Sequence, residues 1–288
     1  MTLWAISDLH VGFEVNRRAV EALPARPDDW LILGGDSGDT AAQLQLVLDV
    51  VTARFARVIW VPGNHDLWTP RQWPETQRGV AHYQRLVAQC QRAGVLTPED
   101  PFVEWPGPDR AVIAPCFTLY DYSFAPGGMT PGDAVAWAAE QRVQCADEVL
   151  LDPSPHSSRA AWCAARVAYT ESRLAAVPAG VPIVLVNHFP LRPDLAVLPR
   201  IPRFTIWCGT TRTAAWHTRF ALAVVVSGHL HMRSTRWRDG VRFEEVSLGY
   251  PAQWQQAKGV DGYLRQILPA PTPAVAGWGE TRTVVRHY

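Results

Sequence analysis

The chain has 288 residues, 48% of them hydrophobic, and 27 basic side chains against 27 acidic ones. That is enough for one large core, and a net charge of zero excludes attraction to nucleic acid or membranes by overall charge. Five scattered cysteines without C-x-x-C spacing argue against a disulfide framework or a zinc ribbon.

No apolar run is long enough to span a membrane and no basic segment precedes an apolar leader, so the sequence predicts a cytoplasmic protein. Residues 3–6 predict a strand feeding Asp8 and His10, which period-two alternation places on one face of an extended segment. Alone, this pair also reads as a capping Asp and a surface His. A helix over 16–23 stops at Pro24. A second strand, 30–33, ends in Gly34-Gly35-Asp36-Ser37-Gly38-Asp39, where Asp39 or Thr40 could also cap the helix expected over 41–55. The third strand, 57–61, leads into Gly63-Asn64-His65-Asp66, followed by a loop over 68–73 and a helix over 80–93.

Short strands are expected at 102–105 and 111–115. The aromatic stretch 117–128 reads either as an insertion walling a pocket or as a satellite of the core. Helices are expected over 131–149 and 158–177, and a strand over 181–186 delivers Asn187-His188. In the irregular stretch after it, Arg192, Arg200, Arg203, Arg212 and Arg219 face only Asp194 within that stretch, as a solvated loop face or as a rim that recruits anions. Residues 221–227 form a strand ending in Gly228-His229-Leu230-His231, and 233–237 with 241–247 make a hairpin about Asp239-Gly240. The expected organisation is a single domain over 1–250 and a loosely packed tail over 251–288.

The polar tips gain meaning together. Asp8, His10, Asp36, Asn64, His65, His188, His229 and His231 all sit at or just past strand ends, and they include five of the nine histidines. Oxygen and imidazole donors without thiolate suit divalent Mn, Fe, Zn or Ni. Seven ligands exceed one ion's needs but suit two ions sharing a carboxylate, an arrangement used for in-line displacement at phosphorus.

The order D-x-H, G-D-x-x-D, G-N-H-D, N-H, G-H-x-H, spanning Asp8 to His231, resembles the calcineurin-like metallophosphoesterase superfamily. The resemblance implies an α/β sandwich of two mixed β-sheets flanked by α-helices, binding two divalent metal ions, manganese first among them. It implies that Asp8, His10 and His231 hold one ion, that Asn64, His188 and His229 hold the other, and that Asp36 bridges them. His65 would be the general acid oriented by Asp39, Asn64 would also serve catalysis, and a hydroxide bridging the metals would attack a phosphodiester in line. Thr40 after Asp39, and Asp66 in place of Glu, argue against protein phosphatase activity.

More narrowly, residues 60–65, 119–124, 186–190 and 207–211 with Trp216-His217 resemble an actinobacterial-type branch that includes a hydrolase removing 4′-phosphopantetheine from acyl carrier proteins. That likeness makes Tyr120, Thr210, Thr211, Arg212 and His217 candidate substrate contacts, and sets the arginine-rich stretch toward an acidic carrier. A nuclease or cyclic-nucleotide phosphodiesterase is the alternative, and a non-catalytic scaffold of the same fold the third reading.

Overall fold

A computed structural model describes residues 1–70, 72, 77–271 and the strand 282–285. The chain opens with β1 (Leu3–Ile6), α1 (Glu14–Glu21), β2 (Arg26–Leu33), α2 (Ala41–Thr52), β3 (Phe55–Trp60) and α3 (Gly79–Arg92). β1, β2 and β3 run parallel in adjacent positions. Alternation sorts their side chains. Trp30 and Ile32 face one apolar cluster, while Leu31 and Leu33 face another that includes Leu44, Val47 and Leu48 of α2. A strand stretch covered on both faces has no polar side, which is why residues 30–33 and 58–60 carry no charge, while Arg26, Asp28, Asp29 and Arg57 lie in the less buried first halves of β2 and β3.

The second half contributes β4 (Val103–Glu104), β5 (Val112–Pro115), α4 (Pro131–Glu140), α5 (Asp147–Leu150), α6 (Arg159–Ala175), β6 (Ile183–Val186), α7 (Trp216–Arg219), β7 (Leu222–Ser227), β8 (Ser234–Arg238) and β9 (Val241–Glu245). These strands, with β11 (Arg282–Val285), form a seven-stranded mixed sheet in the order β11-β8-β9-β7-β6-β5-β4. β10 (Arg265–Leu268) joins the first sheet antiparallel to β1, in the order β10-β1-β2-β3. The two sheets share a core of Leu3, Ala5, Ile32, Ile59 and Val61 against Ile113, Val184, Val186, Val224 and Val226. Two mixed sheets flanked by helices were the expected architecture. Among the described residues, no helix is long and apolar enough to cross a membrane. All five cysteines are free and buried.

Two expectations need correction, and one open alternative is decided. The single helix over 131–149 is two, because the chain leaves α4 through a left-handed Arg142 (φ 58°). The amide of Val143 reaches back to the Ala138 carbonyl, the bond of a Schellman ending. Glycine normally marks that turn and is absent here. Of the two readings of the aromatic stretch 117–128, the core one fits its first half, where Phe117, Tyr120 and Tyr122 are at most 5% exposed, while 123–128 lie half-buried or exposed. The tail is not loose where it is described: Ile267 is 0% exposed between the sheets, and the Arg242 side chain donates to its carbonyl at 2.6 Å. The loop expected over 68–73 and the rest of the tail lie partly outside the described residues.

Because Ile267 fills the inter-sheet core, Ile267→Ala should lower the unfolding free energy by about 2–5 kcal/mol. Denaturant titration measures this directly, and an unchanged midpoint would mean that β10 does not contribute to the core.

Candidate metal centre

Five loops meet at one end of the sandwich, each leaving the C-terminal end of a parallel strand: β1, β2 and β3 from one sheet, β6 and β7 from the other. The crevice outside such strand ends is where open α/β sheets place their ligands. Asp8 and His10 are not on an extended segment as alternation predicts. Both adopt left-handed backbone, φ 55° and 43°, as do Asp36, His229 and His231 at 54°, 72° and 52°. Each such residue costs about 1–3 kcal/mol and persists only where its surroundings fix it. Here they do: the amides of Asp8, His10 and Val11 bond the carbonyls of Gly35, Asp36 and Ser37 at 2.9, 3.1 and 3.1 Å.

Close approach sets the next constraint. A β-carbon on Gly63 would lie 2.0 Å from Asp36 Oδ1, and one on Gly35 would lie 2.6 Å from both the Gly63 amide nitrogen and His188 Nδ1. Only glycine lets these loops close over the carboxyl group. The Asp36 side chain then accepts from the His65 amide at 2.9 Å and lies 3.5 Å from His188 Nε2 and 4.0 Å from His65 Nε2. On the other side of the cluster, His231 Nε2 is 3.0 Å from Asp8 Oδ1 and 3.2 Å from His10 Nε2. Asn64 Oδ1 meets His229 Nδ1 at 3.0 Å.

Three groups have donor atoms within 4.8 Å of one another: Asp8, His10 and His231; His10, Asp36 and His65; Asp36, His188 and His229. Each could hold a metal ion, and Asp36 belongs to two of them. All seven predicted ligands are therefore gathered in one place. Outer partners aim them: His188 Nδ1 donates to the Gly34 carbonyl at 2.8 Å and His231 Nδ1 to Gln253 Oε1 at 2.8 Å. Asp8 Oδ2 accepts from Ser7 Oγ at 2.5 Å and Ser247 Oγ at 2.8 Å. Asp39 accepts from His65 Nδ1 at 2.8 Å, while Thr40, not Asp39, caps α2.

The electrostatics call for a cation. Burial, then the charges of Asp8 and Asp66, pushes the Asp36 carboxyl well above the usual range. Burial also pushes His10 and His229 well down and His188 down, leaving neutral imidazoles of the kind metals bind. His231 moves up, because the adjacent Asp8 outweighs the effect of burial. His188 Nε2 and His229 Nε2 are buried without any hydrogen-bond partner. Unpaired imidazole nitrogens beside a carboxyl group that resists ionising fit a bound divalent ion.

A cavity of about 310 Å³ opens onto this cluster, walled by Trp68, Cys145, Leu198, Ile201, Phe204, Leu230 and Tyr250. The predicted substrate contacts are not among its lining residues. Tyr120 is 0% exposed, packed against the rings of Tyr122 and Phe189. Thr210, Thr211 and Arg212 form a turn stapled to another loop, through Asp121 at 2.8 Å, Ser123 at 2.8 Å and Asp121 at 3.3 Å. His217 precedes β7, at the strand end away from the cluster, paired with Asp239 at 2.7 Å.

The arginine rim is also largely neutralised by residues distant in sequence. Arg203 pairs with Glu140, Arg212 with Asp121 and Arg219 with Glu171, alongside the local Arg192–Asp194 pair. Sequence reading missed Asp147, Trp68, Gln253 and the apolar wall. Of these only Trp68, three residues past His65, had a signal in the sequence.

A model of calcineurin-like phosphoesterases matches residues 1–233. The chain belongs to the calcineurin-like phosphoesterase family. Among its relatives is the [acyl-carrier-protein] phosphodiesterase PptH of Mycobacterium tuberculosis, 50% identical over 275 residues, which cover 94% of this chain and 84% of that one. The crystal structure of the phosphopantetheinyl hydrolase PptH from the same organism matches with a TM-score of 0.90 at 48% identity, over 96% of this chain and 98% of the other. Membership makes the chain a phosphoric ester hydrolase, as the motif order implied, and the donor clusters agree with a metal-dependent one.

With its pKa raised, Asp36 keeps its proton to higher pH in the folded chain than in the unfolded one. Stability of the metal-free protein therefore falls as pH rises above the unfolded carboxyl range, about 3.9. Asp36→Asn removes that penalty. It should bind no Mn²⁺, yet melt above wild type at pH 7 in chelator; thermal melts and metal analysis read both, and a lower melting temperature contradicts the account.

Proposed function

We propose that the chain is a binuclear metallophosphodiesterase that cleaves the bond joining the 4′-phosphopantetheine arm to the serine of an acyl carrier protein. The observation carrying this is the likeness to the phosphopantetheinyl hydrolase PptH along almost the whole of both chains. In this reading Asp8, His10 and His231 hold one divalent ion, Asn64, His188 and His229 hold a second, and Asp36 is shared. Manganese is the leading candidate, with iron, zinc and nickel also suited to these donors. When bound, such ions supply Lewis acidity toward phosphoryl oxygens and toward water.

The chain's own residues supply the rest. With Nδ1–H held by Asp39, His65 keeps Nε2 turned toward Asp36, from where it can give a proton to the departing serine oxygen. The Asn64 side chain stays against His229 and closes the floor of the site. The apolar wall of Leu198, Ile201 and Phe204 suits the dimethyl-substituted carbon next to the arm's phosphate ester, and excludes water from it. A covalent route through Cys145 is disfavoured, since burial, then nearby Asp147, drives that thiol far above neutrality.

Purified protein with Mn²⁺ and holo-acyl carrier protein should release phosphopantetheine, read as the corresponding mass loss of the carrier. Bis(p-nitrophenyl) phosphate, cyclic nucleotides and oligonucleotides run in parallel; cleavage of the last two with no change in the carrier would replace this reading by the nucleotide one. His65→Ala should retain its metal and lose about 10²–10⁴-fold in rate on the serine ester. A wild-type rate there would remove His65 from the mechanism.

A further inference from the structure

One carboxyl group outside the five motifs reaches two residues of the centre. Asp147 lies in α5, 0% exposed, although no motif marks it. Its Oδ1 accepts from Asn64 Nδ2 at 3.0 Å and from Trp68 Nε1 at 2.7 Å. The Trp68 ring lies on His65, with 3.6 Å between centroids and 34° between planes. Each contact has a direction. The oxygen facing Asn64 can only accept, so it must meet the NH₂ end of that amide, which turns Oδ1 toward His229. An Asn side chain has nearly equal shapes in its two flips, so without such a partner nothing in packing would choose the ligating one. The same oxygen pins the indole that backs the imidazole of His65.

We infer that Asp147 is a positioning residue for both halves of the chemistry: through Asn64 it orients a metal donor, and through Trp68 it holds His65 in place. The left-handed turn at Arg142 makes this reach possible, because it ends α4 and frees the chain to start α5 at Asp147, beside the site. The inference rests on the proposed roles of Asn64 and His65, but not on the identity of the substrate.

Asp147→Leu is near-isosteric and cannot accept a hydrogen bond. It should weaken Mn²⁺ binding about 10–100-fold, the usual effect of losing an outer partner of a ligand, measured by equilibrium dialysis on protein shown to be folded by its thermal melt. Its rate should also fall more on diphenyl phosphate than on bis(p-nitrophenyl) phosphate, since the poorer leaving group depends more on a well-held acid. Asp147→Asn, which still offers an oxygen at the same point, should recover most of both losses. Trp68→Phe keeps a ring but no N–H; it should widen the leaving-group gap at unchanged Mn²⁺ affinity, and it decides the matter if the Leu variant does not fold. An unchanged dissociation constant in folded Asp147→Leu, or an unchanged leaving-group ratio in Trp68→Phe, overturns the proposal. Wild-type protein that binds no Mn²⁺ would instead overturn the metal reading beneath it.

Discussion

A carboxyl group buried among other carboxyl groups is the constraint on which this structure turns. Asp36 is 2% exposed, and the charges of Asp8 and Asp66 act against its ionisation. Burying an uncompensated charge is among the most unfavourable things a fold can do. Backbone amides offset part of it: the amides of Asp36 and Gly63 bond Asp66 at 2.8 and 2.9 Å, and that of His65 bonds Asp36. Even so, burial lifts Asp66 to about 7. The remaining deficit is of positive charge, and it lies where the imidazoles converge.

The rest of the fold holds that arrangement closed. Three left-handed residues, Asp8, His10 and Asp36, stay in place because β1 and β2 run on beyond their ladder as a zipper of loop hydrogen bonds, and the Asp8 carboxylate in turn holds the amide of left-handed His229. Outer partners then fix which nitrogen of His65, His188 and His231 faces inward. The carbonyl of Gly34, the amide of Gln253 and the carboxyl group of Asp39 each take an Nδ1, leaving an Nε2 for the centre. Rotation of any of these rings would turn the wrong nitrogen inward, so the orientation is as much part of the site as the residue types.

What was legible in the sequence follows from these forces. Ligand tips could be read because a strand end followed by glycine, then by His, Asp or Asn, is a costly pattern to keep without a use for it. The inner strands could be read because both faces are apolar. The break after α4 could not, since Arg142 stands where glycine would have announced it. β10 was hidden by the Pro- and Gly-rich composition around it, though Ile267 and Leu268 carry an apolar signal. The two readings of the arginine stretch could not be separated in the sequence, because Glu140, Asp121 and Glu171 are long-range partners that local charge counting does not reach. Thr210 and its neighbours entered by likeness to a family branch, and the structure gives them to a loop staple.

The position of β10 bears on how the molecule is made. In synthesis β1 comes well before its partner β10, and one of its edges stays open until residues 265–268 have been made. Gln253, which orients His231, also comes late. A nascent chain thus carries an exposed strand edge, the kind that invites mispairing with another chain, while everything between β1 and β10 is made, and the ring of His231 is not pinned until Gln253 is out.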